Sequence, residues 1–261
     1  MSQVLLVRLD DPVEENRYKA ILKIYGRRFM STSRRYYKQS EWSPSLERLY
    51  RKFALQHPRS QPDFPRPEDG QLEVYRRLSE LQGKDVPRLY GRIELLDTYH
   101  SHDPFQMGPS PRPLNGFSDI LSGLLQYIPN AFTLQDIWKE DIPPAPREAW
   151  QYIIDDAVRI VCLIRDREII NRDARPWNIL VYWDAVTSMY KVFAIDFAMC
   201  EICKDELELQ WRKKQVWSNE EDAIGEFMEA RLKRNQGGGY EFTRSGYSKQ
   251  LLEEFQYLFN D

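Results

Sequence analysis

Three oxygen-bearing side chains stand at spacings that suit metal and phosphate chemistry: Asp173, Asn178 five positions on, and Asp196. They belong to I-I-N-R-D-A-R-P-W-N-I-L-V (169–181) and K-V-F-A-I-D-F-A (191–198). Hard cations prefer carboxylate and amide oxygens, so such a set can hold Mg²⁺ with a proton acceptor beside it. The bland alternative is that Asp173 and Asn178 cap a turn, as these residue types often do.

Two apolar β-type runs, Ile179–Trp183 and Val192–Ile195, flank a polar turn from Asp184 to Ser188 and predict a hairpin. Asp173 and Asn178 precede its first strand and Asp196 follows its second, so all three fall at one end of it. A helix beginning at Pro146 carries Trp150, Ile153, Ile154, Ala157, Ile160, Val161 and Ile164 at i, i+3, i+4 spacing. It would form the floor beneath the loop that bears Asp173.

At these residues the chain resembles the protein-kinase-like superfamily. N-R-D-x-x-x-x-N is similar to the catalytic loop H-R-D-x-x-x-x-N, and I-D-F-A to the D-F-G segment. Asn171 stands for the His and Ala198 for the Gly. The resemblance implies ATP and Mg²⁺ as cofactors, with Asp173 the catalytic base and Asn178 and Asp196 the metal ligands. A-I-L-K resembles the V-A-I-K strand, which makes Lys23 the phosphate-contacting lysine. I-L-S-G-L-L-Q-Y-I-P resembles the strand and hinge between lobes, where the Gln126 carbonyl and the Ile128 N–H would meet adenine. L-K-I-Y-G-R-R-F, L-Q-G-K-D-V-P-R-L-Y-G and L-L-Q-Y-I-P, in that order, look like the uncharacterised protein-kinase-like proteins of fungi, organised like choline and aminoglycoside kinases.

The fold expected is α+β and bilobal: a small antiparallel-sheet lobe over residues 1–128 and a mostly helical lobe over 129–261. Val4–Leu9 and Tyr18–Tyr25 read as a hairpin, and V-P-R-L-Y-G-R-I-E-L-L-D as a further strand. Helices are expected over Trp42–Leu55 and Glu68–Leu81, the latter with Leu72, Tyr75, Leu78 and Leu81 on one face. Its partner for Lys23 is open among Glu68, Gln71 and Glu73; Glu68 and Gln71 lie toward the apolar face and Glu73 points away. Gln71 would reduce an ion pair to a neutral hydrogen bond. No glycine precedes Gly26, so the glycine-rich flap of kinases is either lost or lies upstream of this chain. Toward the end, Ser218-x-x-Glu221 reads as a capping box for a helix bearing Ile224, Phe227, Met228 and Leu232. G-G-G at 237–239 closes it, and Ser248–Leu258 forms a last helix.

The 261 residues carry a net charge of −3 and three cysteines, with no apolar run of 18, which argues against a membrane span and for a reducing compartment, cytoplasm or nucleus. Six basic residues without an acid lie between Leu22 and Ser40, read as a solvated face or a phosphate-attracting patch. No groove-reading motif accompanies them, so nucleic acid is not an expected partner. His100 and His102, and the pair Cys200 and Cys203, lack the further ligands a zinc site needs. No proline follows Asp196, so the A-P-E that closes a peptide-binding segment is absent. The reading is therefore phosphoryl transfer to a small-molecule hydroxyl, near Trp211 or Trp217. The alternative is a pseudokinase that binds a nucleotide or nothing and engages a protein partner.

Overall fold

A computed structural model of the protein describes residues 3–10, 17–24, 67–95, 120–139, 145–204 and 206–259. The expected helix at Trp42–Leu55, the rest of the basic block beyond Lys23, His100 and His102, and the Glu68 side chain lie outside the described residues. The architecture is mixed α and β, with antiparallel sheets and several helices. The chain divides into two compact units: Met1–Glu68 with Leu89–Tyr127, and Asp69–Arg88 with Ile128–Asp261.

The first unit contains an antiparallel sheet of β1 (Gln3–Asp10), β2 (Arg17–Ile24), β3 (Leu89–Leu95) and β4 (Ile120–Gln126), in the order β1-β2-β4-β3. The β-branched and aliphatic runs that predict strands here pair as expected, Val4 opposite Lys23 and Leu9 opposite Tyr18. Lys23 also faces Gly123 on β4, and Gln126 faces Ala20. Ala20, Lys23, Ile24 and Leu125 are buried, whereas Val4, Leu5 and Leu6 on the edge strand are exposed.

The second unit holds most of α1 (Pro67–Arg77), then β5 (Phe132–Thr133), α2 (Trp150–Arg165), β6 (Ile169–Asn171), β7 (Ile179–Asp184), β8 (Met189–Ala194) and β9 (Cys200–Ile202). Three helices follow: α3 (Glu208–Ser218), α4 (Glu220–Gln236) and α5 (Gly246–Glu254). The apolar stripe of α2 is buried from Trp150 to Ile164 and packs on β8 and α4. The Trp150 indole N–H is satisfied by the Ala145 carbonyl at 2.8 Å, as a buried tryptophan requires. The predicted hairpin is β7–β8, with Ile179 opposite Ala194 and Asp184 opposite Met189. No helix among the described residues is long and apolar enough to cross a membrane.

Three expectations change. The helix from Glu68 ends at Arg77, and Ser79–Leu81 tightens into a 3₁₀ turn before Gly83, whose φ of 78° reverses the chain. Helix α3 has no counterpart among the helices expected from sequence, because its apolar residues have no sustained 3.6-residue period. Finally, Ser218 is not a cap: it is the last residue of α3, and Asn219, at φ 40°, both ends that helix and begins α4. Glu221 instead accepts hydrogen bonds from the Ser245 N–H at 2.9 Å and hydroxyl at 2.7 Å.

Candidate active site

The loop that carries Asp173 leaves β6, a strand buried along its whole length and paired with β9, Asn171 opposite Cys200. The loop then closes on itself. Asn171 accepts the Asp173 N–H through Oδ1 at 3.1 Å and the Ala174 N–H through its carbonyl at 2.9 Å. A 3₁₀ turn at Pro176–Asn178 follows, with proline where its missing N–H costs nothing.

Asn178 Nδ2 donates to both the carbonyl and Oδ2 of Asp173, each at 2.9 Å. Both donors of the amide are thereby spent on one residue, which leaves its Oδ1 as the group available to a cation. The Asn178 carbonyl receives the Ile195 N–H at 2.9 Å, extending the β7–β8 ladder to the residue before Asp196. Asp196 itself sits at φ 62°, in the left-handed region, and accepts the Ala198 N–H at 3.3 Å. Backbone strain in a non-glycine residue is commonly found where function fixes a side chain. Phe197 is buried and meets the edge of Tyr75 on α1, ring centroids 5.4 Å apart. Burial first, and then the charge of Asp196, push the Tyr75 phenol far above its ordinary range.

The remaining oxygen of Asp173, Oδ1, meets Arg175 Nε at 3.0 Å, and the Arg175 guanidinium lies 5.0 Å from the Trp177 ring centre. Arg172 turns the other way, pairing through Nε with Glu201 on β9 at 2.9 Å. Lys214 of α3 also pairs with Glu201, and reaches Glu206 at 2.8 Å. This network ties the loop to β9 and α3. Beside the loop, Asn171, Ala174, Arg175, Pro176 and Trp177 line a cleft of about 240 Å³ together with Ser218 and Phe227. Trp211 is buried in the core and Trp217 is largely exposed; neither lines this cleft.

One residue of this region carried no sequence signal. Glu220 begins α4 in a run of three acids that reads as ordinary complement to a helix N-terminus. Its carboxyl group accepts the Asn171 main-chain N–H and is buried. Burial pushes Glu220 up to about 8, against the opposing pull of that N–H and of Arg165. Glu221 behaves oppositely: burial raises it, but hydrogen bonds from Ser245, Cys162 and Arg165 outweigh burial and hold it below the ordinary value.

Of the residues singled out in the sequence, Asp173, Asn178 and Asp196 are brought to one end of the β7–β8 hairpin within the second unit. Lys23 and Gln126 belong to the first unit, and Ile128 opens the second as a buried residue. Gln71 is 2 % exposed, and neither atom of its amide has a hydrogen-bond partner. Glu73 is engaged by Arg76 at 2.6 and 2.7 Å. Among the described residues no three His, Cys, Asp or Glu side chains cluster as a self-sufficient metal site.

No protein-family model matches this chain. No curated protein matches it either. A solved structure described as WaaP in complex with acyl carrier protein is similar over 99% of this chain and 80% of that chain, at 14% identity and a TM-score of 0.48.

Proposed function

We propose that this chain transfers a phosphoryl group from Mg²⁺·ATP to the hydroxyl of a small molecule. The observation that carries the reading is the Asn178–Asp173 pair, joined through Ile195 to Asp196. Asn178 Oδ1 and the Asp196 carboxylate are hard oxygen donors that fit Mg²⁺, which would neutralise charge developing on the transferred group. Asp173 Oδ2 is oriented by Asn178 to accept the acceptor's proton, a role worth typically about 10²–10⁴-fold. The resemblance to protein-kinase-like proteins adds Lys23 for phosphate orientation, and Gln126 and Ile128 for adenine. The cleft beside the loop is the place for the acceptor, and its size favours a compact molecule over an extended peptide. Three free cysteines accord with a reducing compartment, cytoplasm or nucleus.

A second reading, a nucleotide-binding module without turnover, is favoured by Gln71 standing where the resemblance expects an acid. Thermal melting with millimolar ATP, with and without Mg²⁺, tests both. Ligand at 100 times Kd stabilises by about 2.7 kcal/mol. No Mg²⁺-dependent shift would sink both readings, and a shift without transfer to any metabolite hydroxyl would leave the second.

A further inference from the structure

Gln71 is the one described residue with two buried, unpaired side-chain polar atoms, Nε2 and Oε1. Amides buried this deeply are nearly always hydrogen-bonded, so an unpaired one asks for an explanation. Its location supplies one. Gln71 lies one turn before Tyr75 on the same face of α1, since residues four apart stack on a helix. Tyr75 packs edge-on against Phe197 and feels the charge of Asp196. The unpaired amide is therefore on the helix face turned to the Asp196–Phe197 segment.

We propose that Gln71 is a nucleotide-site residue whose amide is completed by ligand: Nε2 by a phosphate oxygen, Oε1 by a water of the bound metal. This rests on the nucleotide reading above. The chemistry follows from the amide having both a donor and an acceptor unfilled. A phosphate oxygen can accept from Nε2, and a water held by Mg²⁺ on that phosphate can donate to Oε1.

The opposed signs of two measurements test this. Gln71→Leu and the unbranched Gln71→Met remove the unpaired polar atoms at similar volume, so each variant without ligand should melt at or above the wild-type temperature. Calorimetric titration with Mg²⁺·ATP should show affinity lowered roughly 10- to 100-fold, as for loss of hydrogen bonds to charged groups. Wild-type affinity in both variants, with the wild type binding, overturns the role of Gln71 alone. Both variants melting well below wild type without ligand also overturns it, since the amide would then be paired within the protein. Absence of binding by the wild type itself overturns the nucleotide reading, and this inference with it.

Discussion

The main-chain N–H of Asn171 ends on the side-chain carboxyl group of Glu220, forty-nine residues further along the chain. A buried acid thus holds the strand end from which the Asp173 loop departs. Because burial raises Glu220 from an ordinary 4.5 to about 8, the folded state keeps a proton that the unfolded chain releases. The sign follows from linkage: this contribution is full below pH 4.5 and is lost as pH rises to about 8. The slope is at most about 1.4 kcal/mol per pH unit. Glu220→Gln keeps the acceptor oxygen and abolishes the titration, so denaturant melts of this variant should show a flatter stability profile across that window. An equally steep profile would remove Glu220 as the source.

Asp173 and Asp196 should separate binding from turnover. Asp196→Asn loses an anionic metal ligand, so the Mg²⁺-dependent part of the ATP-induced thermal shift should disappear. Asp173→Asn should bind Mg²⁺·ATP within a few-fold of wild type while transfer falls about 10²-fold or more. Transfer unchanged in both variants would place the chemistry elsewhere.

Glu201 links Arg172 of the loop to Lys214 of α3. Burial raises its carboxyl, but hydrogen bonds from Lys214 and Arg172 outweigh that and hold it below the ordinary 4.5. Stability from this group is present above that ordinary value and lost as pH falls through the lowered one. The partners are partly exposed, so Glu201→Gln should cost only about 0.5–1 kcal/mol near pH 7, with the difference vanishing in acid. Urea melts at pH 7 and pH 3 measure both numbers.

Gly225 offers a test of packing in α4. A glycine-to-alanine change inside a helix ordinarily stabilises by about 1 kcal/mol. Here an added Cβ would overlap the Phe242 ring. Overpacking of this kind costs about 1–3 kcal/mol, so Gly225→Ala should destabilise by chemical denaturation. A stabilised variant would show that Phe242 moves aside freely.

What the sequence by itself determined is local. The β-type content of Ile179–Trp183 and Val192–Ile195 specifies a hairpin, because two apolar runs and the polar turn between them all fall within 17 residues. Five positions between Asp173 and Asn178 suffice to bring the two side chains together, since one turn spans them. The stripe of α2 likewise determines which of its faces is buried. Tertiary structure alone decided the rest. Glu220 and Glu221 share one local context, yet Glu220 takes an N–H from β6 and Glu221 takes Ser245 and Arg165. Ser218-x-x-Glu221 fits a capping box by pattern, but the buried pair with Arg165 claims the glutamate first, because a charge out of water needs a partner more than a helix end does. The helical period places Gln71 toward the apolar face of its helix but does not fix how deeply it is covered. Only the packing of α1 buries both of its amide atoms, because burial depends on what the fold lays over a face and not on the residues beside it.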